Sequence, residues 1–266
     1  MSNSNQLGTA LITGASTGIG ATYADRLARR GYDLVLVARD QARLEALATR
    51  LRGETGVAVE VLRADLNQPA DLARIEQRLK DDAAITMLVN NAGMAVAGAM
   101  LDADPDRLES MIKLNVTAPT RLARAVLPGL AARGSGTVIN IASVVALAPG
   151  LVGDVYSATK AYMLNLSEAL QTEVGPRGVR VQAVLPGATR TEIWERAGVD
   201  VDKFPAEMVM EVGEMVDAAL AGLDQGELIT IPALPERADW DAFAAARQRL
   251  QPNLSRSHAA ARYQAA

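Results

Sequence analysis

The chain has no cysteine and a single histidine, His258. The first absence excludes disulfides and thiolate metal sites and is compatible with a reduced cytoplasm. The second argues against a histidine-based metal centre and against a Ser-His-Asp triad. No metal site is expected, and His258 reads as a surface residue of the C-terminal tail. Aromatic residues make up only 3% of the 266. No apolar run approaches the ~20 residues of a membrane-spanning helix. The formal net charge of -4 offers no global field to attract nucleic acid or an anionic membrane. Residues 1–6 have neither a basic stretch nor an apolar one, so they read as a flexible terminus without a secretory signal. The expected location is the cytoplasm.

What is present is an alternation. Hydrophobic residues form 49% of the chain, mostly Ala, Val and Leu. Apolar runs at Thr9 to Thr13, Asp33 to Ala38, Val57 to Leu62, Met87 to Asn90, Thr137 to Ala142 and Val179 to Leu185 read as strands, with a short seventh at Leu228 to Ile231. Helical patterns lie between them: Ile19 to Arg30 with Gly31 as its cap, Asp40 to Arg52, Pro69 to Lys80, and Asp154 to Val174. Pro105 to Arg133 reads as a long helical stretch interrupted by Pro119 and Pro128. Continuously apolar strands alternating with helices predict an α/β fold: a Rossmann-type, doubly wound sheet of about seven mainly parallel strands flanked by helices. A single catalytic domain is expected over 7–252, with 188–226 as an insertion and 253–266 as a tail.

The first strand runs into Gly14-Ala15-Ser16-Thr17-Gly18-Ile19-Gly20. Glycines there allow a sharp turn and close ligand approach, and the helix that follows points its positive end at an anion. A dinucleotide phosphate fits, although three residues separate the first two glycines, unlike G-x-G-x-x-G. The bland reading is a tight strand-to-helix corner. After the second strand, where NAD sites carry an acid, the chain has Ala38 and Arg39. A guanidinium suits a 2′-phosphate, which predicts NADP(H) over NAD(H). A local ion pair of Arg39 with Asp40 is the alternative.

Tyr156 and Lys160 are four residues apart on a predicted helix and so share a face. A fixed positive charge would lower a phenol's pKa from ~10 by roughly one to three units, giving a tuned proton donor and acceptor. Ser143, thirteen residues upstream of Tyr156, could hold the oxygen that receives the proton.

Thr13-Gly14-x-x-x-Gly18-Ile19-Gly20, Asn90-Asn91-Ala92-Gly93, Asn115, Ser143, Tyr156-x-x-x-Lys160 and Pro186-Gly187 occur in the order and spacing of the short-chain dehydrogenase/reductase family. The chain resembles that family from about Thr9 to Thr191. The resemblance implies an oxidoreductase that moves hydride between a nicotinamide and a carbonyl or carbinol carbon. It implies Tyr156 as general acid/base, Lys160 as the group that lowers its pKa and binds the nicotinamide ribose, Ser143 as the group that orients the substrate oxygen, and Asn115 as the holder of a relay water. The cofactor would be lined by Gly14, Ser16, Thr17, Gly18, Ile19, Gly20, Arg39, Asp65, Leu66, Asn91, Ala92, Gly93, Pro186, Gly187 and Thr191. Taken singly, Asp65 fits a turn, Asn115 a helix hydrogen bond and Ser143 a strand-end cap equally well.

The resemblance makes 188–226 a substrate lid. It holds Ile193, Trp194, Phe204, Met208, Val209, Met210 and Met215, which suits a hydrophobic ketone or alcohol, or simply a small packed subdomain. A homodimer or homotetramer is implied by resemblance only. The ending after Gly226 departs from the glycine-rich close of 3-oxoacyl-carrier-protein reductases and puts that substrate in doubt. Rival readings are an epimerase or dehydratase and a non-catalytic NADP-sensing or interaction protein on the same fold.

Overall fold

The computed structural model describes residues 7–96, 100–149 and 154–263. The expected flexible terminus, 1–6, lies outside them. The chain forms two compact units, Met1–Pro232 and Ala233–Ala266.

The first unit holds a seven-stranded sheet: β1 (Thr9–Thr13), β2 (Asp33–Ala38), β3 (Val59–Arg63), β4 (Ile85–Asn90), β5 (Gly136–Ile141), β6 (Val179–Val184) and, beyond two short strands of the insertion, β9 (Ile229–Thr230). Their order is β3-β2-β1-β4-β5-β6-β9, and every pairing is parallel. The order reverses between β1 and β4, so their C-terminal ends open a crevice at the switch point. The helices are α1 (Gly18–Arg29), α2 (Gln41–Thr55), α3 (Pro69–Asp81), α4 (Pro105–Ile112), α5 (Ala118–Arg133), α6 (Asp154–Val174), α7 (Ile193–Arg196) and α8 (Val212–Asp224).

Strand side chains alternate faces, and both faces are covered. Ala10 and Ile12 of β1 join one buried cluster with Leu27 of α1, Leu44 of α2 and Val216 of α8. Leu11, between them, points into the other with Ile75 of α3 and Leu122 of α5. This double burial is why the strands read as unbroken apolar runs. Gly31, at φ 94°, follows α1 and closes it, as the sequence implies.

The breaks expected at Pro119 and Pro128 are corrected. Pro119 and Pro128 do not interrupt the helical stretch. Pro119 sits in the first turn of α5, where no N–H donor is needed, and Pro128 is carried inside that helix. The irregularity is a π-helical turn at Lys113–Thr117, joining α4 to α5. It lies at Asn115, and such turns are frequent at functional positions.

The insertion is stapled internally. Strands β7 (Ala188–Thr189) and β8 (Val209–Met210) pair, the Trp194 indole donates to Thr189 O at 2.8 Å, and its ring lies 5.2 Å from that of Phe204. Met215 is no lid residue: it is buried in the core on α8. The second unit carries α9 (Arg237–Leu250), with Trp240 and Phe243 ring centres 5.5 Å apart, then turns at Gln251–Asn253 and Ala261–Tyr263. The unit boundary at Pro232 precedes the one expected at 252.

Candidate active site

The glycine turn occupies the end of β1. Gly14 and Gly18 have φ of 66° and 52°, a region that side chains other than glycine rarely adopt. A Cβ on Gly20 would come within 2.4 Å of Gly14 O and 2.5 Å of Asn91 Nδ2. Thr17 precedes α1 without making a side-chain cap, and the first turn of the helix holds no acidic residue. Its first N–H groups therefore face the crevice uncapped by a side chain, the arrangement that receives a phosphate. Ser16, Ile19 and the two outer glycines sit in or beside this turn as expected. A dinucleotide fits these residues.

β4 supplies the opposite wall. Asn91 Nδ2 donates to Thr13 O at 2.8 Å and Gly14 O at 3.2 Å. Asn91 N and Ala92 N both donate to Thr13 Oγ1 at 3.0 Å. Thr13 is thus the knot that fixes both walls. It stands first in the glycine motif but was not assigned to the site.

Arg39, exposed at the end of β2, makes no ion pair among the described residues. Its neighbour Asp40 accepts from Arg43 N at 3.0 Å and lies 3.5 Å from Arg43 Nε. The alternative of an Arg39–Asp40 pair is not realised. Asp65 Oδ1 accepts from Asn67 N at 3.0 Å, so the carboxylate also shapes its own turn, and Leu66 is buried beside it.

Tyr156 lies in the first turn of α6. Its side chain is partly buried, and desolvation pushes its pKa up to about 12 while the Ser143 hydroxyl works in the opposite direction. Ser143 follows β5, accepts from Val145 N at 3.3 Å and donates to Pro186 O at 3.3 Å. Ser143 caps the turn that follows β5 and lies within hydrogen-bonding reach of the Tyr156 phenol. Pro186 and Gly187 therefore lie at the same strand ends, and Thr191 approaches Gly18, where a Cβ would meet its methyl at 3.2 Å.

Lys160 is buried and donates to Ile141 O at 2.8 Å, with Nζ 5.6 Å from the Tyr156 ring centre. Burial lowers its pKa to about 8. The expected acidification of Tyr156 by Lys160 is not found: desolvation of the phenol dominates, and the ammonium is directed at a carbonyl. Asn115 Oδ1 accepts from Met94 N at 2.9 Å, while its Nδ2 donates to Met94 O at 2.9 Å and Thr159 Oγ1 at 3.1 Å. The carboxamide clamps the loop after β4 to α6. A Cβ on Gly93 would stand 3.3 Å from Asn115 Oδ1 and 3.7 Å from Lys160 Nζ, so the absent side chain keeps this space open.

Two concavities adjoin these groups. A small one beside Tyr156 is lined by Val96, Met100, Ala103, Leu108, Met111, Asp154 and Val155. A cleft of about 710 Å³ runs from Gly18 along Arg190 to Val201 of the insertion. The residues of the small concavity escaped sequence reading because they come from three separate segments. Among the described residues, no cluster of acids or His could hold a metal, and no helix is long and apolar enough to cross a membrane.

A glycine turn at a parallel-sheet switch point, with a Ser, a Tyr and a Lys gathered at adjoining strand ends, defines a nicotinamide-dependent oxidoreductase. The sequence matches the short chain dehydrogenase family over residues 8–201, and the chain belongs to it. It is 57% identical to a short-chain dehydrogenase from Sphingobium yanoikuyae solved in complex with NADPH, with a TM-score of 0.95 over 97% of this chain and 100% of that one. A bulky-bulky ketone specific alcohol dehydrogenase from Comamonas testosteroni is 50% identical, with a TM-score of 0.89 over 97% and 98%. Human 17-beta-hydroxysteroid dehydrogenase type 3 is 33% identical over 91% of this chain and 79% of its own length.

Proposed function

We propose that the protein is an NADP(H)-dependent carbonyl reductase or alcohol dehydrogenase acting on neutral, hydrophobic ketones and their alcohols. The observation that carries this is the Tyr156 phenol within reach of the Ser143 hydroxyl and beside a concavity whose other described lining residues are apolar apart from Asp154. The NADPH complex and the bulky-ketone specificity of the two similar structures point the same way.

When bound, the nicotinamide supplies or accepts hydride at its ring. In reduction, Ser143 and Tyr156 donate hydrogen bonds to the substrate oxygen, which gains negative charge. Tyr156 then delivers its proton there. With its pKa raised by burial the phenol is protonated at neutral pH, as a donor must be, and it gives up that proton more readily the closer its pKa is brought to the working pH. In oxidation the phenol must first be deprotonated, and a positive charge close by would favour this. Lys160 holds the ribose hydroxyls and returns a proton from behind. The backbone of Ser16 to Gly20 takes the pyrophosphate, Arg39 the 2′-phosphate, and Asp65 with Leu66 the adenine. A cytoplasmic location and a homodimer or homotetramer complete the reading, and the oligomer rests on family resemblance alone.

The test is a panel of ketones of graded bulk, with NADPH and NADH consumption as the readout. Turnover of bulky aryl or alicyclic ketones with NADPH is expected. NADPH binding without turnover of any carbonyl would instead support the non-catalytic sensing role.

A further inference from the structure

The inserted segment touches the dinucleotide cleft at a place that the proposed chemistry does not use. Glu192 belongs to the insertion and Arg43 to the first turn of α2, 149 residues away in sequence. Arg43 Nη1 donates to both Glu192 oxygens, at 2.8 and 2.9 Å. Asp40 stands 3.5 Å behind Arg43, and Arg196 donates to Glu192 at 2.6 Å, giving an alternating chain of four charges. Next to Glu192, Thr191 closes on Gly18 at the start of α1. The segment is therefore held over the glycine turn on one side and to the helix that follows Arg39 on the other.

We propose that Arg43 and Glu192 are positioning residues whose ion pair latches the inserted segment to α2 across the mouth of the dinucleotide cleft and sets how fast the cofactor leaves. This rests on the reading of that cleft as the nicotinamide dinucleotide site. The part suited to move as one piece is 188–211, which β7–β8 pairing, the Trp194–Thr189 bond and the Arg190 bonds to Asp202 and Glu211 hold together, whereas α8 is packed in the core and tied to α1 by Arg26–Asp217. Apart from the chain itself, the side-chain ties found here from α2 to the segment run through Arg43. Exposed single pairs contribute little, but shared pairs in a chain of charges are the better case. The Arg43 guanidinium bonded to Glu192 lowers its carboxyl pKa below the ordinary value. A 2′-phosphate competing with Glu192 for Arg43 is the rival outcome, and it makes the opposite forecast.

The experiment compares the wild type with Glu192→Gln, Arg43→Met and the double variant. Release of NADPH and of NADH is followed separately by stopped-flow fluorescence at low and high salt. Each single variant should release both cofactors faster, by about 3- to 5-fold, the scale of a shared surface pair. The double variant should be no faster than the singles, and high salt should speed the wild type alone. Slower NADPH release by Glu192→Gln with unchanged NADH would assign Arg43 to the 2′-phosphate and overturn the latch. Unchanged rates, or additive effects in the double variant, would overturn it as well. A wild type that binds neither cofactor would instead remove the dinucleotide reading beneath it.

Discussion

Lys160 Nζ rests 2.8 Å from the carbonyl oxygen of Ile141 and 5.6 Å from the centre of the Tyr156 ring. The ammonium is anchored to β5, and burial has made it easier to deprotonate, at about 8 instead of 10.5. The sign of the stability effect follows. Between about pH 8 and 10 the unfolded chain holds this proton and the folded chain does not, so Lys160 makes stability rise with pH in that window. Above pH 10 the raised Tyr156 pKa acts the other way, because the folded phenol keeps a proton that the unfolded one loses. The slope from Lys160 is at most about 1.4 kcal/mol per pH unit. Urea denaturation across pH 7–10 should show this rise in the wild type, and Lys160→Met should flatten it.

Arg39 is exposed and unpaired among the described residues, while Asp40 is engaged by Arg43. Arg39→Ala should weaken NADPH binding by roughly 10- to 100-fold, the scale of a charged hydrogen bond, and leave NADH almost unchanged. Titration of the two cofactors by calorimetry checks this. Equal losses for both would place Arg39 away from the 2′-phosphate.

Asn115 uses both its N–H donors and its carbonyl oxygen on Met94 and Thr159. Asn115→Ala should therefore lower stability by about 1–3 kcal/mol, since it strands buried donors and acceptors. A drop in turnover without any shift in the urea midpoint would indicate a role confined to proton relay.

Asp154 is the only charged side chain among the described residues lining the concavity beside Tyr156. It should repel carboxylate-bearing ketones. Asp154→Asn should raise kcat/KM for an aryl keto acid by about 3- to 10-fold, on the scale of one partly screened like-charge contact, with the neutral ketone unaffected. Parallel kinetics on the acid and its methyl ester decide it.

The sheet was legible because buried parallel strands leave unbroken apolar runs, and Thr9–Thr13, Asp33–Ala38 and α6 were read to the residue. The π turn at Lys113–Thr117 left no comparable mark, and the two prolines nearby suggested breaks that helix packing tolerates. Within the site, the Tyr156/Lys160 pairing on one helix face followed from spacing alone. The direction of the Tyr156 pKa did not, because desolvation depends on walls built by other segments. Met215 sits in the segment expected to form the lid, yet the register of α8 turns it into the core. The Arg43–Glu192 pair joins positions too far apart in the chain for any local pattern to link them.

The most direct measurement is single-turnover reduction of a bulky neutral ketone by NADPH with Tyr156→Phe, which removes one hydroxyl and keeps the ring that packs beside Lys160. Hydride transfer should slow by roughly 10²- to 10⁴-fold, with the NADPH dissociation constant and the melting temperature close to wild type. Transfer at a near-normal rate would contradict the assignment of Tyr156 as the proton donor.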